Sequence, residues 1–262
     1  MARKIVITSG KGGVGKTTVC ANLGIVLSKS GYRVALIDLD FGLNNLDVAL
    51  CIERQTVFDL YDVFCGRCRP KQAFISHRNF PNLYVLPSDS IKSYANISGQ
   101  NIKLILEAIE PSFDFIFLDC PAGIDVGFHR AVSAVNEAFI VTTPNFASLK
   151  DADKVLSILE SYKLKNVGLI VNRVRGDLIV GNKMMMPQDI GLLLKSELLG
   201  ILPEEDDVFL SSGKELPKNS DSKKAYAVLS ENITAGKRKI FDTTSKYTGF
   251  WGCIRKGLKG NL

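Results

Sequence analysis

Ser9-Gly-Lys-Gly-Gly-Val-Gly-Lys-Thr-Thr18 puts four glycines, two lysines and three hydroxyl side chains into ten consecutive residues. Gly10, Gly15, Lys16 and Thr17 satisfy the pattern G-x-x-x-x-G-K-[ST], and the stretch lies between a strand-like run and a helix-period segment, as that pattern requires. Glycines allow the backbone N–H groups to curl around a β-phosphate, Lys16 reaches β and γ oxygens, and the Thr17 hydroxyl suits a magnesium ion. The candidate nucleotide contacts here are Lys11, Gly12, Gly13, Val14, Gly15, Lys16, Thr17 and Thr18. The pattern asks for one lysine, so Lys11 is a surplus cation at the mouth of the loop.

Acids at two other strand ends complete a reaction centre. The apolar run Phe113–Leu118 ends in Asp119-Cys-Pro-Ala-Gly123, where Asp119 can support the metal through water and Gly123 can bring backbone close to a γ-phosphate. A second run ends Ile37-Asp38-Leu39-Asp40, projecting two acids beside the first loop. One of them could orient an attacking water; Asp38 also suits a purely structural turn.

These groups need a frame. Strand-like runs recur at Lys4–Thr8, Arg33–Leu39, Leu83–Pro87, Phe113–Asp119, Ala138–Thr142, Val167–Asn172 and Leu199–Leu202. Helix-period segments alternate with most of them: Thr17–Ser30, Ile97–Glu110, Ser148–Tyr162 and Ser220–Thr234. The alternation predicts an α/β fold, a doubly wound, mostly parallel sheet flanked by helices, with ligands at the carboxyl ends of the strands. The 262 residues, 46% of them hydrophobic, suit one domain over 1–236 and an appendage over 237–262. No apolar run approaches the ~18–20 residues of a spanning helix. The strand at the N-terminus leaves no room for an export signal, so the six cysteines are expected as free thiols. Cys65-Gly-Arg-Cys68 lacks the second pair that a structural zinc site wants and is expected to close a short helix.

The net charge of +6 is local. From Gly236 onward there are seven basic residues and one acid, so this segment accounts for the whole excess and the body is neutral. At 100° per residue, Tyr247, Phe250, Trp251, Ile254, Leu258 and Leu262 gather within roughly a 120° arc, and Lys246, Arg255, Lys256 and Lys259 take the rest. This is the pattern of a basic amphipathic helix lying in an anionic membrane interface. Four glycines weaken such a helix in water, so lipid must supply the drive.

Lys11-Gly-Gly-Val-Gly-Lys-Thr-Thr18 resembles the deviant phosphate loop of the MinD/ParA ATPases. Asp38-Leu-Asp-Phe-Gly-Leu-Asn-Asn-Leu-Asp47 and Asp119-Cys-Pro-Ala-Gly123 resemble the two switch segments of the MinD branch. Ser148–Lys154, Val171–Arg173 and Gly200–Asp206 extend the similarity over nearly the whole chain. The resemblance implies an ATP- and Mg²⁺-dependent ATPase that dimerises on ATP, associates with membrane and selects the division site. It makes Lys11 the lysine that reaches the partner's phosphates, Lys16 the lysine in cis, Thr17 the Mg²⁺ ligand with Asp119 supporting, and Asp40 the water-positioning acid. Asn172 and the turn Pro203-Glu204 would frame adenine. It also implies MinC- and MinE-like regulators and a bacterial or plastid setting, with the protein cycling between solution and membrane surface. The family carries Arg where this chain has Asn44, a departure that bears on the regulator helix and not on ATP. Two rivals within the superfamily are a ParA-type DNA-segregating ATPase and an iron–sulfur carrier. The neutral body speaks against the first, and the early position of the Cys65/Cys68 pair against the second, so no specific nucleic acid is expected.

Overall fold

The computed structural model describes residues 1–41, 45–53, 57–88, 97–249 and 252. The chain runs β1 (Arg3–Thr8), α1 (Lys16–Lys29), β2 (Val34–Asp38), α2 (Leu46–Ala49), α3 (Leu60–Phe64), α4 (Pro70–Ala73), β3 (Ile75–His77) and β4 (Phe80–Leu86). It continues through α5 (Gly99–Ile109), β5 (Phe115–Asp119), α6 (Val126–Ser133), β6 (Glu137–Thr142), α7 (Phe146–Glu160) and β7 (Asn166–Val174). The last elements are α8 (Gly176–Val180), α9 (Pro187–Leu193), β8 (Glu197–Pro203), α10 (Asp206–Leu210) and α11 (Asp221–Ala235).

Eight strands form one sheet in the order β3-β4-β2-β5-β1-β6-β7-β8. Every pairing is parallel except β3 with β4. In β2, β5 and β6 every residue is buried, as runs without polar alternation demand when helices cover both faces. One core lies under α5, α6 and α7 and includes Leu106, Phe128 and Val155. The other lies under α1 and α11 and includes Leu23, Tyr226 and Leu229.

All seven strand-like runs of the sequence are strands of this sheet, which is the doubly wound fold expected. Connections leave β1 in opposite directions, to β2 on one side and, from β5, over β1 to β6 on the other. The carboxyl end of β1 is therefore the switch point of the sheet, and the Gly10–Thr18 loop leaves from there. The edge strand β3 gave no signal in the sequence: it is three residues long and its register shifts between Ser76 and His77.

Phe117, fully buried in β5, stacks parallel to Phe115 at 6.0 Å and lies 6.5 Å from Phe139 on β6. Phe117→Ala should therefore lower the unfolding free energy by about 3–5 kcal/mol. The check is a urea titration in which the midpoint falls and the slope stays constant.

Candidate functional site: a phosphate loop and a base cleft

The loop after β1 is a rigid cradle. Gly13 and Gly15 hold φ of 78° and 95°, left-handed values that a side chain resists. The Gly15 position is also closed sterically, because an added Cβ would meet Asn172 Nδ2 at 2.5 Å. That same amide donates to the Val14 carbonyl at 2.8 Å, latching the loop to the end of β7. The Ser9 hydroxyl donates to the Lys11 carbonyl at 2.8 Å from the other side. α1 starts at Lys16 with no acid in its first turn and no side-chain cap, so its N-terminal amides and dipole are free to receive an anion.

Lys16 is 7% exposed, whereas Lys11 is exposed. Lys11 lies in a groove with Thr143, Asn145 and Arg173 on the outer side of the loop. The two lysines thus face different surroundings, one inside the cradle and one outside it.

Asp38 and Asp119 are register partners at the ends of β2 and β5, and both are buried. Asp38 accepts N–H bonds from Asp40 at 2.8 Å and from Leu46 at 3.2 Å, one on each oxygen. Asp38, the alternative expected to orient water, has both carboxylate oxygens engaged by backbone N–H groups. With both oxygens taken by backbone and no exposed surface, Asp38 braces the turn into α2. Asp40 is partly exposed beside it, and its charge acts on both Asp38 and Asp119. Burial and then the neighbouring Asp119 push the Asp38 carboxyl well above the usual range. Burial also raises Asp119, to about 6, against the opposing hydrogen bond of Thr17 and the charge of Lys16. Asp119 Oδ1 is buried with no hydrogen-bond partner among the described residues.

That orphaned oxygen, beside the Thr17 hydroxyl and the Lys16 charge, fits a divalent cation. Thr17 and Asp119, the expected magnesium residues, lie together here and are the groups that would hold such an ion. Gly123 has φ of 90° and donates its N–H to the Ser9 carbonyl at 3.0 Å. An added Cβ there would meet nothing within 4 Å, so the backbone borders open space above the loop.

A cleft of about 360 Å³ opens at the carboxyl ends of β7 and β8. Asn172, Pro203 and Glu204 line it, together with Gly15 and Thr18 of the loop, so the residues expected around a base do converge. The structure adds Arg173, Glu205 and Phe209 to the walls. Arg173 carries φ of 57°, a left-handed conformation that no sequence pattern announces.

The tail differs from its helical wheel. Tyr247, expected as an apolar anchor, is 6% exposed here, ends a short 3-10 turn over Ser245–Tyr247, and packs on Gly176 of α8. Thr248 is extended, so no helix begins at 247. Four of the seven basic residues pair with acids of the body. Lys237 and Lys239 pair with Glu231 at 3.1 and 2.9 Å, Arg238 with Glu197 at 3.0 Å, and Lys246 with Asp221 at 2.5 Å. Phe250, Trp251, Ile254 and Leu258, like Asn44, lie outside the described residues. No helix among the described residues is long and apolar enough to cross a membrane.

Of the CxxC pair, Cys65 is exposed and C-caps α3. His77 is buried with Nε2 at 3.2 Å from the Leu50 carbonyl and Nδ1 accepting the Asn79 N–H at 3.2 Å. Both ring nitrogens are thus in use, and the pair reads as a turn.

A parallel sheet with a G-x-x-x-x-G-K-T loop at its switch point, a buried carboxylate facing that loop and a base-sized cleft beside it define a P-loop nucleotide-binding ATPase. The CobQ/CobB/MinD/ParA nucleotide binding domain matches residues 5–217. A septum site-determining MinD relative from Chlorella vulgaris is 42% identical, covering 99% of this chain and 94% of the relative. The MinD of the Aquifex aeolicus MinC:MinD complex superposes with a TM-score of 0.83 at 38% identity, over 90% of this chain and 96% of that one. MinD from Pyrococcus horikoshii, in complex with Mg-ADP, gives 0.79 at 28% identity, over 89% and 96%. The chain belongs to the MinD branch of the MinD/ParA ATPases, the septum site-determining proteins. Neither the DNA-segregation nor the iron–sulfur reading is favoured.

The buried acids set a pH dependence. Below about pH 4, Asp119 is protonated folded or unfolded; between the ordinary 3.8 and about 6 only the folded form keeps its proton; above that, folding buries the charge. The contribution of Asp119 to the stability of the ligand-free protein should thus fall as pH rises from about 4 to about 6. Asp119→Asn should melt several degrees higher than the parent at pH 8, since ~1 kcal/mol shifts Tm by about 2–4 °C at this length. The gain should vanish near pH 4 in thermal melts followed by circular dichroism.

Proposed function

We propose that the chain hydrolyses ATP to ADP and phosphate, with Mg²⁺, as a homodimer that forms only when ATP is bound. The observation that carries this reading is the division of labour between the two lysines. Lys16 is enclosed beside Asp119, whereas Lys11 stands outside the cradle with no ion pair to any described residue. A cation outside its own cradle serves best across an interface, where it neutralises charge that develops on the partner's phosphates. Magnesium, when bound, would neutralise charge on the β and γ oxygens. Within the chain, the loop amides and Lys16 bind the phosphates and Thr17 with Asp119 would hold the metal. Asp40, partly exposed beside Asp119, orients water. Asn172, Pro203 and Glu204 frame the base.

The output of this cycle is location. We place the tail beyond Thr248 in an anionic membrane interface through Phe250, Trp251, Ile254 and Leu258, two copies per ATP-bound dimer. A MinC-type partner is supported by the Aquifex complex, and a MinE-type activator follows by family resemblance. The setting is a plastid, as the algal relative suggests, or a bacterial cytoplasm.

Lys11→Ala should keep single-site ATP binding but lose the ATP-dependent dimer in gel filtration, with stimulated turnover down about a thousandfold. Lys16→Ala should lose ATP affinity outright. An ATP-dependent dimer of Lys11→Ala would end the trans assignment. Asp40→Ala should bind ATP and dimerise yet turn over about a hundredfold slower, because only the orientation of water is lost.

Trp251 is the only tryptophan of the chain. Its emission should shift to the blue only when ATP and anionic vesicles are both present, and the shift should weaken with salt. Ile254→Glu should abolish it without touching dimerisation. A blue-shifted Trp251 in lipid-free protein with ADP would mean that the tail lies on the body.

A further inference from the structure

A strap crosses behind the base cleft and touches both of its walls. Lys246 Nζ lies 2.5 Å from Asp221 Oδ2 and 3.4 Å from Glu205 Oε1. Glu205 is a wall residue of the cleft. Its other oxygen accepts the Ser222 N–H at 2.7 Å and the Ser220 hydroxyl at 2.9 Å, and Ser220 is the N-cap of α11. Next along the strap, Tyr247 is buried against Gly176, the first residue of α8 and two positions beyond the end of β7. An atom added at Gly176 Cβ would lie 1.8 Å from the Thr243 carbonyl, so backbone sits directly on backbone. β7 carries Asn172 and Arg173, the opposite wall.

This network is shielded. The Lys246 side chain is 33% exposed, Glu205 18% and Asp221 19%. Burial alone would raise the Glu205 carboxyl, yet the hydrogen bonds of Ser222 and Ser220 and the Lys246 charge hold it below its ordinary value. The same balance, with Lys246 and Lys224 as donors, lowers Asp221. Both acids are therefore charged at neutral pH and the clamp is intact.

We propose that Lys246 and Tyr247 are positioning residues of the nucleotide site: the strap they anchor holds Glu205 and the end of β7 at the separation a base requires, so that base binding and strap docking form one coupled equilibrium. The proposal rests on the nucleotide reading above and deepens it. Coupling of this kind is reciprocal: whatever factor the docked strap adds to nucleotide affinity, the nucleotide adds to docking of the strap. The clamp's own contacts are to the base walls, whereas the phosphate loop is latched by hydrogen bonds from Asn172 and Ser9 in which no strap residue takes part. Its effect is therefore shared by ADP and ATP and absent for a ligand made of phosphates alone. The root of the tail then senses occupancy of the cleft within one subunit, before any dimer forms.

The test is calorimetric titration of the full chain with ADP and with pyrophosphate, magnesium present in both. Lys246→Ala should weaken ADP about fivefold or more while pyrophosphate affinity stays within about twofold. Lys246→Arg should recover most of the loss, and Tyr247→Ala should repeat the pattern. In the parent, ADP should slow amide exchange across residues 240–248, and pyrophosphate should not. Equal losses for ADP and pyrophosphate, or an unchanged ADP affinity in Lys246→Ala, would overturn the clamp alone. A parent protein that binds no ADP would remove the nucleotide reading and the clamp with it. Should Lys246→Ala not fold, the exchange experiment on the parent decides, and an ADP-insensitive strap overturns the proposal.

Discussion

Two carboxylates that sit side by side at the buried ends of β2 and β5 set the terms for everything around them. Asp38 and Asp119 are both shut off from solvent, and Asp119 raises the cost of ionising Asp38. A charge in such a place must be met by donors or cations. Asp38 is met entirely by backbone, through the amides of Asp40 and Leu46, and the turn carrying Asp40 is fixed as a consequence. Asp119 is met only in part, by the Thr17 hydroxyl and the Lys16 charge, and one oxygen is left over. The fold thus spends one acid on shape and keeps the other incompletely satisfied. An unsatisfied carboxylate beside a phosphate cradle is destabilising unless a cation meets it, so the feature that weakens the ligand-free protein would favour the metal-bound nucleotide proposed above.

The phosphate loop is fixed by groups from elsewhere in the chain. Asn172 reaches it from the end of β7, and Gly123, just past β5, closes on Ser9. Because β5 and β6 flank β1 and β7 follows next, loops after three strands meet over one switch point, where a doubly wound sheet gathers its ligand groups. The base cleft arises one strand further out, between the ends of β7 and β8. Asn172 belongs to both regions, since it lines the cleft and latches the loop.

Much of this was legible in the sequence because it is local. The loop motif, the apolar strands and the acids at their ends are contiguous patterns, and each landed where expected. What was not legible depends on contacts between distant residues. Asp38 and Asp40 look equivalent two positions apart, and only packing shows that one is enclosed and the other open. The helical wheel placed Lys246 on the polar face and Tyr247 on the apolar face of one helix. Wheels count angular position alone, and the partners of Lys246 lie 25 and 41 residues earlier, at Asp221 and Glu205. β3 escaped because three residues with a register shift carry no period. The left-handed Arg173 likewise has no compositional trace.

If the tail reaches a membrane as proposed, the ion pairs of the strap change the charge it brings there. The helical wheel put Lys246, Arg255, Lys256 and Lys259 on the polar face, but Lys246 is already paired with acids of the body. Arg255, Lys256 and Lys259 are the basic residues beyond the strap. At ~1 kcal/mol each near an anionic leaflet, they contribute about 3 kcal/mol, less than the roughly 4 kcal/mol of a millimolar complex. Apolar side chains in the interface add to this but must also offset the ordering of a glycine-rich segment. One such tail holds a surface only fleetingly. Two on one particle act with an effective concentration that multiplies their affinities by ~10²–10⁴. In the proposed cycle, pairing Lys246 with the body leaves fewer cations per tail and so would sharpen the difference between one copy and two.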